Sequence, residues 1–229
     1  MKIISLNTWQ GKQKESLKSY LQQHDVDTDV FLLQEADGET ESLRREIFMG
    51  EQSVTTRKYD PAYEEEYWVT SVFKSNFQLH SSGTFFASNP EQGHGHWLEG
   101  EYKGERYIIC NVHGTPVSSE KNDTPTRIEQ SKEILIFLKS RPGKHIIMGD
   151  FNLLPDTQSI SLFEEAGYRN LISEYEIDTT RNELAWARYP DSKQLFADYA
   201  FVSQDVQVLD FQVPKNEISD HLPLELTLI

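Results

Sequence analysis

The chain is poor in cysteine and in positive charge, and it has no long apolar run. One cysteine, Cys110, among 229 residues means that no intrachain disulfide can form, which fits a reducing compartment. Cys110 lies in the run Tyr107-Ile108-Ile109-Cys110, where a small buried hydrophobe is expected rather than a nucleophile. Lys and Arg total 22 against 37 Asp and Glu, a formal net charge of -15. Such a surface repels a polyanion, and no Lys/Arg cluster supplies a stable nucleic-acid-binding patch. Nuclease chemistry stays open, because bound metal ions invert a local field. No stretch approaches a membrane span and no signal-peptide pattern opens the chain, so a cytoplasmic, monomeric protein without a membrane segment is expected. Linkers, repeats and low-complexity tracts are missing too, which predicts a single domain over residues 1–229.

What is present is an alternation of short apolar runs and helical patterns. Lys2–Leu6 and Val30–Leu33 read as strands, the second apolar throughout and hence buried on both faces. Lys14–His24 has helical spacing, with Leu17, Tyr20 and Leu21 on one side, and Glu39–Met49 follows the same period. Strands are expected at Tyr67–Phe73, Gln78–Phe86, His96–Tyr102 and Arg106–Val112, the last two joined by the turn Tyr102-Lys103-Gly104-Glu105. Thr126–Lys139 predicts a helix stopped by Arg141-Pro142-Gly143, and Ser159–Ala166 a shorter one stopped by Gly167. Further strands are predicted at Lys144–Met148, Leu195–Val202, Val206–Val213 and Leu222–Leu228. Parallel and hairpin connections together point to an α/β four-layer αββα sandwich: two packed mixed β-sheets with outer helices.

Residues able to do chemistry recur where these strands end. Asn7 follows Ile3–Leu6, Glu35 follows Val30–Gln34, and His113 follows Ile108–Val112. Asp150 and Asn152 follow Ile146–Met148, Asp198 lies in a run that is otherwise apolar, and Asp220-His221 precedes Leu222. Strand ends are rigid and the loops after them are exposed, so such positions build sites. A buried aspartate such as Asp198 needs a partner, and an imidazole is a good one. Taken singly, each residue has an ordinary reading: Glu35 or Asp150 as a helix N-cap, Asn7 in a turn, the histidines in the core.

Taken together, the segments Leu6-Asn7-Thr8-Trp9, Leu33-Gln34-Glu35, Asn111-Val112-His113, Gly149-Asp150-Phe151-Asn152, Asp198-Tyr199-Ala200-Phe201-Val202 and Ser219-Asp220-His221 resemble the endonuclease/exonuclease/phosphatase superfamily. These are metal-dependent phosphoesterases related to pancreatic-type deoxyribonuclease, and the segments come in the family's order. The resemblance implies Mg2+ or Mn2+ held by Glu35, with Asn7 beside it and Asp220 ligating or neighbouring the ion. It implies His221 as general base or phosphate contact, oriented by Asp198, with Asp150 orienting the attacking water and Asn152 donating to a phosphate oxygen. His113 would hold another oxygen or protonate the leaving group. Trp186 and Arg188 stand where relatives contact substrate, although a loop anchor is an equal reading for Trp186.

Some features point elsewhere. Relatives with a histidine at His113 pair it with a glutamate, here Glu65 or Glu66, and Trp68–Lys74 departs from the usual Gly-x-Ala-Ile-Leu-Ser strand. Gly93-His94-Gly95-His96-Trp97 reads as a metal-binding tract, a substrate-facing rim or, as the favoured expectation, exposed histidines opening a hairpin, and Arg127 and Gln130 are expected as surface residues. Glu64–Glu66 reads as a solvated face or an edge guard. The expected activity is hydrolysis of a phosphodiester or a small phosphorylated molecule. The alternatives are a DNA or RNA nuclease of the same superfamily and a binding module that retains the fold.

Overall fold

Period-two alternation decides which face of a sheet each side chain joins, and it does so here strand by strand. The computed structural model describes residues 1–60, 64–87, 93–116, 121–188, 190–191 and 193–229, with only the backbone at Asp60, Glu65 and Arg188. The first sheet runs β11 (Val208–Gln212), β12 (Leu224–Leu228), β1 (Lys2–Asn7), β2 (Val30–Gln34), β4 (Glu65–Phe73) and β3 (Gln52–Asp60). The second runs β5 (Phe77–Phe85), β6 (His94–Tyr102), β7 (Glu105–His113), β8 (Lys144–Asp150), β10 (Asp198–Val202) and β9 (Arg169–Asn170). Each sheet holds one parallel pair, β1 with β2 and β7 with β8, among antiparallel neighbours, so both are mixed as expected.

The outer face of β1 and β2 presents Ile4, Leu6, Phe31 and Leu33. They pack against Leu17 and Leu21 of α1 (Lys14–Asp25) and Leu43 of α2 (Gly38–Ile47). On the far side, α3 (Pro125–Lys139) and α4 (Gln158–Glu165) bring Ile134, Leu138, Ile160 and Phe163 into the larger core with the second sheet. The result is the four-layer α/β sandwich. The loop between β9 and β10 carries two short helices, α5 (Leu171–Glu174) and α6 (Glu183–Arg188).

The inner faces change character along their length. Reading alternate positions of β1 gives Ile3, Ser5, Asn7; β2 gives Val30, Leu32, Gln34; β7 gives Ile109, Asn111, His113; β8 gives Ile146, Met148, Asp150. Every central strand passes from apolar to polar towards its C-terminal end. The polar ends meet across the layer: Gln34 Nε2 donates to Asn111 Oδ1 (2.6 Å) and Ser5 Oγ (3.2 Å), and Asn111 Nδ2 donates to Ser71 Oγ (3.2 Å). Hydrogen-bonded pairs of this kind make the burial of amides tolerable and pin one sheet against the other.

Two expectations are corrected, and a third is decided between its alternatives. His94 and His96 are buried rather than exposed, because β6 is an inner strand of its sheet. His96 hydrogen-bonds Ser71 Oγ through Nε2 (2.7 Å) and Thr56 Oγ1 through Nδ1 (3.1 Å), bridging the sheets. Arg127 and Gln130 are also buried: Arg127 donates to the carbonyls of Asn122 (2.6 Å) and Thr115 (3.1 Å), and Gln130 Oε1 accepts from Thr115 Oγ1 (2.9 Å). They fasten the segment after His113 to α3. Glu64 and Glu66 are exposed, and β4 lies inside its sheet, so the acidic run is a solvated face and guards no edge. That edge is β3, whose polar Ser53–Lys58 gives no apolar run to read.

Burial pushes His96 from its ordinary 6.5 down to about 3, with His94 also opposing its charge. The unfolded chain takes up this proton below about pH 6.5 and the folded chain does not, so stability is lost as pH falls through that window. The expected contribution is about 1.4 kcal/mol per pH unit for this group. Urea unfolding between pH 7 and pH 5 checks it: His96→Gln should flatten the slope by close to one proton, and an unchanged slope would contradict the assignment.

Candidate active site

All the strand ends named above open at one edge of the sandwich. Register places Asn7 beside Gln34 in one sheet, and His113, Asp150 and Asp198 in one row of the other. Asn7 joins the two sheets: its Nδ2 donates to Glu35 Oε1 (3.1 Å) and to Asp150 Oδ2 (3.0 Å). The Trp9 N–H donates to its Oδ1 (3.0 Å), which fixes the amide orientation. Glu35 stands immediately after β2 with φ 47°, and Asn152 just after β8 with φ 56°. Left-handed backbone at a non-glycine residue costs about 1–3 kcal/mol, and here it turns each side chain back into the cleft. The ordinary capping reading of Glu35 fails, since α2 has Asp37 at its N-cap.

His113 brings Nε2 to 3.9 Å from both Glu35 Oε1 and Asp150 Oδ2, with the Tyr67 ring edge-on at 6.2 Å. Asp150 Oδ1 accepts from the Asn152 N–H (2.9 Å). Beyond it stands His221, whose Nδ1 lies 2.9 Å from both oxygens of Asp198, while its Nε2 faces Asp150 Oδ2 at 3.6 Å and Asp220 Oδ1 at 4.0 Å. Thr180 Oγ1 accepts from the N–H groups of Ala197 (3.0 Å) and Asp198 (3.2 Å) and so holds the start of β10.

The charges follow from this packing. Burial and Arg181 oppose charge on His221, but Asp198, Asp150 and Asp220 outweigh them and raise its pKa. Burial pushes Asp150 up, yet His221, Lys121, His113 and Arg181 outweigh it and leave the carboxyl well below the usual range. Asp198 is raised by burial, with His221 only partly opposing.

Two buried cations carry no signal in the sequence. Lys121 Nζ donates to Asn152 Oδ1, and burial pushes it down to about 8 despite Asp150 nearby. Arg181 forms a β-bridge with His221 and donates from Nη2 to Asp220 Oδ2 (3.1 Å). Both sit in loops without regular pattern, far in sequence from the carboxylates they face. Asp220 is thereby an ion-pair partner of Arg181.

Trp186 is brought to its own loop: Nε1 donates to Gln194 O (2.9 Å), and Lys193 Nζ lies 3.7 Å from the ring centroid. The side chains of Arg188 and Glu65 lie outside the described residues. Glu66 accepts from Trp68 Nε1 (3.2 Å).

Two donor groups could meet a cation. The ligand atoms of Asp150, Asp198 and His221 all lie within 4.8 Å of one another, but His221 Nδ1 and Asp198 are already engaged with each other. Glu35 and Asp150 instead share one neutral amide donor, and Glu35 is the more solvent-open (22% side-chain exposure). Paired hard oxygen donors with a water-facing side fit a divalent cation such as Mg2+ or Mn2+.

A model of the Endonuclease/Exonuclease/phosphatase family matches residues 4–221. Among solved structures, the chain is similar to the mannosyl-6-phosphatase of Bacteroides thetaiotaomicron (18% identity, 100% of this chain and 99% of that one, TM-score 0.75). It is also similar to the human Nocturnin catalytic domain with bound sulfate (18%, 100% and 93%, TM-score 0.74). A functionally unknown conserved protein from Enterococcus faecalis gives a TM-score of 0.76 at 17% identity, covering 100% of this chain and 99% of that one. No curated protein sequence matches.

Asn7→Leu keeps the branched shape but strips the buried Asp150 and the half-buried Glu35 of their shared donor. It should destabilise the protein by about 1–3 kcal/mol in urea unfolding with EDTA present. A change within experimental error would show that the amide does not hold the two sheets' carboxylates together.

Proposed function

Because the chain belongs to the endonuclease/exonuclease/phosphatase family, we propose that it is a divalent-metal-dependent phosphoesterase hydrolysing a small phosphorylated substrate by in-line attack of water. The observation that carries this is the line Asp198–His221–Asp150 set beside Glu35 and Asn7. Glu35 and Asp150 would hold the cation, with Asn7 beside it. When bound, it supplies Lewis-acid neutralisation of charge on the phosphoryl group.

The side chains do the rest. Asp150, anionic at neutral pH, orients a water towards phosphorus. His221 Nε2 takes the water proton, and Asp198 on Nδ1 fixes the tautomer and stabilises the imidazolium. The new bond joins the water oxygen to phosphorus, and the bond from phosphorus to the alcohol oxygen breaks. His113 Nε2 faces the opening and donates to the departing oxygen. Asn152 spends one Nδ2 proton on Gly114 O (3.2 Å) and has the other for a non-bridging oxygen.

Preference for a small substrate rests on charge and space. A cleft of about 490 Å3 is lined by Gln10, Gly11, Lys12, Asp37, Gly38, Glu39 and Glu66. Its carboxylates disfavour a polyanion and leave room for a neutral organic group. One similar structure is a mannosyl-6-phosphatase, which shows that the fold can carry out such a reaction.

Hydrolysis of a monoester and a diester reporter, with plasmid and single-stranded nucleic acid alongside, tests the reading with Mg2+, Mn2+ or EDTA. Reporter cleavage should need the metal, vary little with ionic strength, and fall about 10²–10⁴-fold in His221→Ala. Cleavage of polymers with a steep salt dependence would replace it with the nuclease reading. A separate pH profile tests the base. His221 must be neutral to accept the proton and its pKa is raised, so kcat should climb with pH through a value above 6.5. Asp198→Asn should move that limb to lower pH while lowering kcat. An unmoved limb would remove His221 from the role of base.

A further inference from the structure

The reaction as drawn leaves two buried cations unused. Lys121 and Arg181 are each only 9% exposed, and both are counted among the charges that hold Asp150 ionised. A guanidinium is rarely buried without full hydrogen bonding, since each unpaired donor costs about 1–3 kcal/mol. Yet among the described residues the buried Arg181 Nε has no hydrogen-bond partner, and its Nη2 is held by Asp220. A purely structural ion pair gives no reason for the orphan donor; an anion arriving beside His221 does. Lys121 is a second buried cation close to Asp150. Its ammonium has three protons and donates to Asn152 Oδ1, the residue given the phosphate contact above.

We propose that Lys121 and Arg181 form a clamp for the non-bridging oxygens of a terminal phosphate, and that this clamp makes the enzyme select phosphomonoesters over phosphodiesters. The proposal rests on the phosphoesterase reading and narrows its substrate class. A monoester brings a third non-bridging oxygen and a second negative charge, which two extra fixed cations match. A diester brings a second organic arm in place of that oxygen. With both cations about nine-tenths buried, that arm would meet charged side chains it cannot pair with.

The test uses the full chain with Mn2+, comparing wild type with Lys121→Met and with Arg181→Lys, which leaves Asp220 a cation. Calorimetric titration with inorganic phosphate reads the clamp without turnover. Hydrolysis of p-nitrophenyl phosphate and bis-p-nitrophenyl phosphate reads selectivity. Each variant should bind phosphate about 10–100-fold more weakly, the range for losing a charge-assisted hydrogen bond. Each should also lose at least about tenfold more kcat/KM on the monoester than on the diester. Phosphate affinity within about threefold of wild type, or equal losses on both reporters, would overturn the clamp. If wild type hydrolyses neither reporter, the phosphoesterase reading fails by itself. Phosphate affinity then still decides the clamp: variant-sensitive binding supports it, and no binding by wild type overturns it.

Discussion

One side-chain amide connects the two halves of this molecule at the point where chemistry is expected. Asn7 belongs to the first sheet and donates to Glu35 of that sheet and to Asp150 of the other. The arrangement exists because β1 alternates strictly, so that Ile3 and Asn7 share the inward face while Ile4 and Leu6 reach the helices. A slip of one residue in β1 would send the amide outward and leave Asp150 and Glu35 without their shared donor. The apolar part of the inner layer sets the spacing of the sheets, and the polar part uses that spacing.

Everything else at the open edge answers the burden of negative charge. Asp150, Asp198 and Asp220 are all buried, each kept tolerable by a cation or a donor: His221 between Asp198 and Asp150, Arg181 on Asp220, Lys121 nearby. This mutual dependence explains why backbone strain is tolerated at Glu35 and Asn152, where side chains must point back from strand ends. Around Asp150 the protein is locally rich in positive charge although its formal net charge is -15.

The layers and the strand-end residues were legible in the sequence because both follow from local rules. Continuous runs such as Val30–Leu33 mark inner strands, and a polar residue just after such a run marks a strand end. Asn7, Glu35, His113, Asp150, Asp198 and His221 were all found in this way, and the structure brings them together. β3 was missed because an edge strand needs no apolar run. His94 and His96 were misjudged because burial of a histidine depends on partners such as Ser71 and Thr56, which lie far away in the chain. Lys121 and Arg181 were unreadable for the same reason: a cation in an irregular loop shows its role only when the loop is folded over the carboxylates.

Sequence separation across the seam bears on how the molecule assembles. Asn7 and Asp150 are 143 residues apart, and Ser219 Oγ donates to Asn7 O across 212. Neither sheet alone contains a complete constellation, so a collapsed intermediate with one sheet formed has its carboxylates unpaired and its imidazole unaligned. Long-range closures are entropically slow to make. Helices and hairpins therefore form well before the seam closes, and recovery of the constellation marks the end of folding rather than its progress. The complete constellation therefore exists only once both sheets are in place.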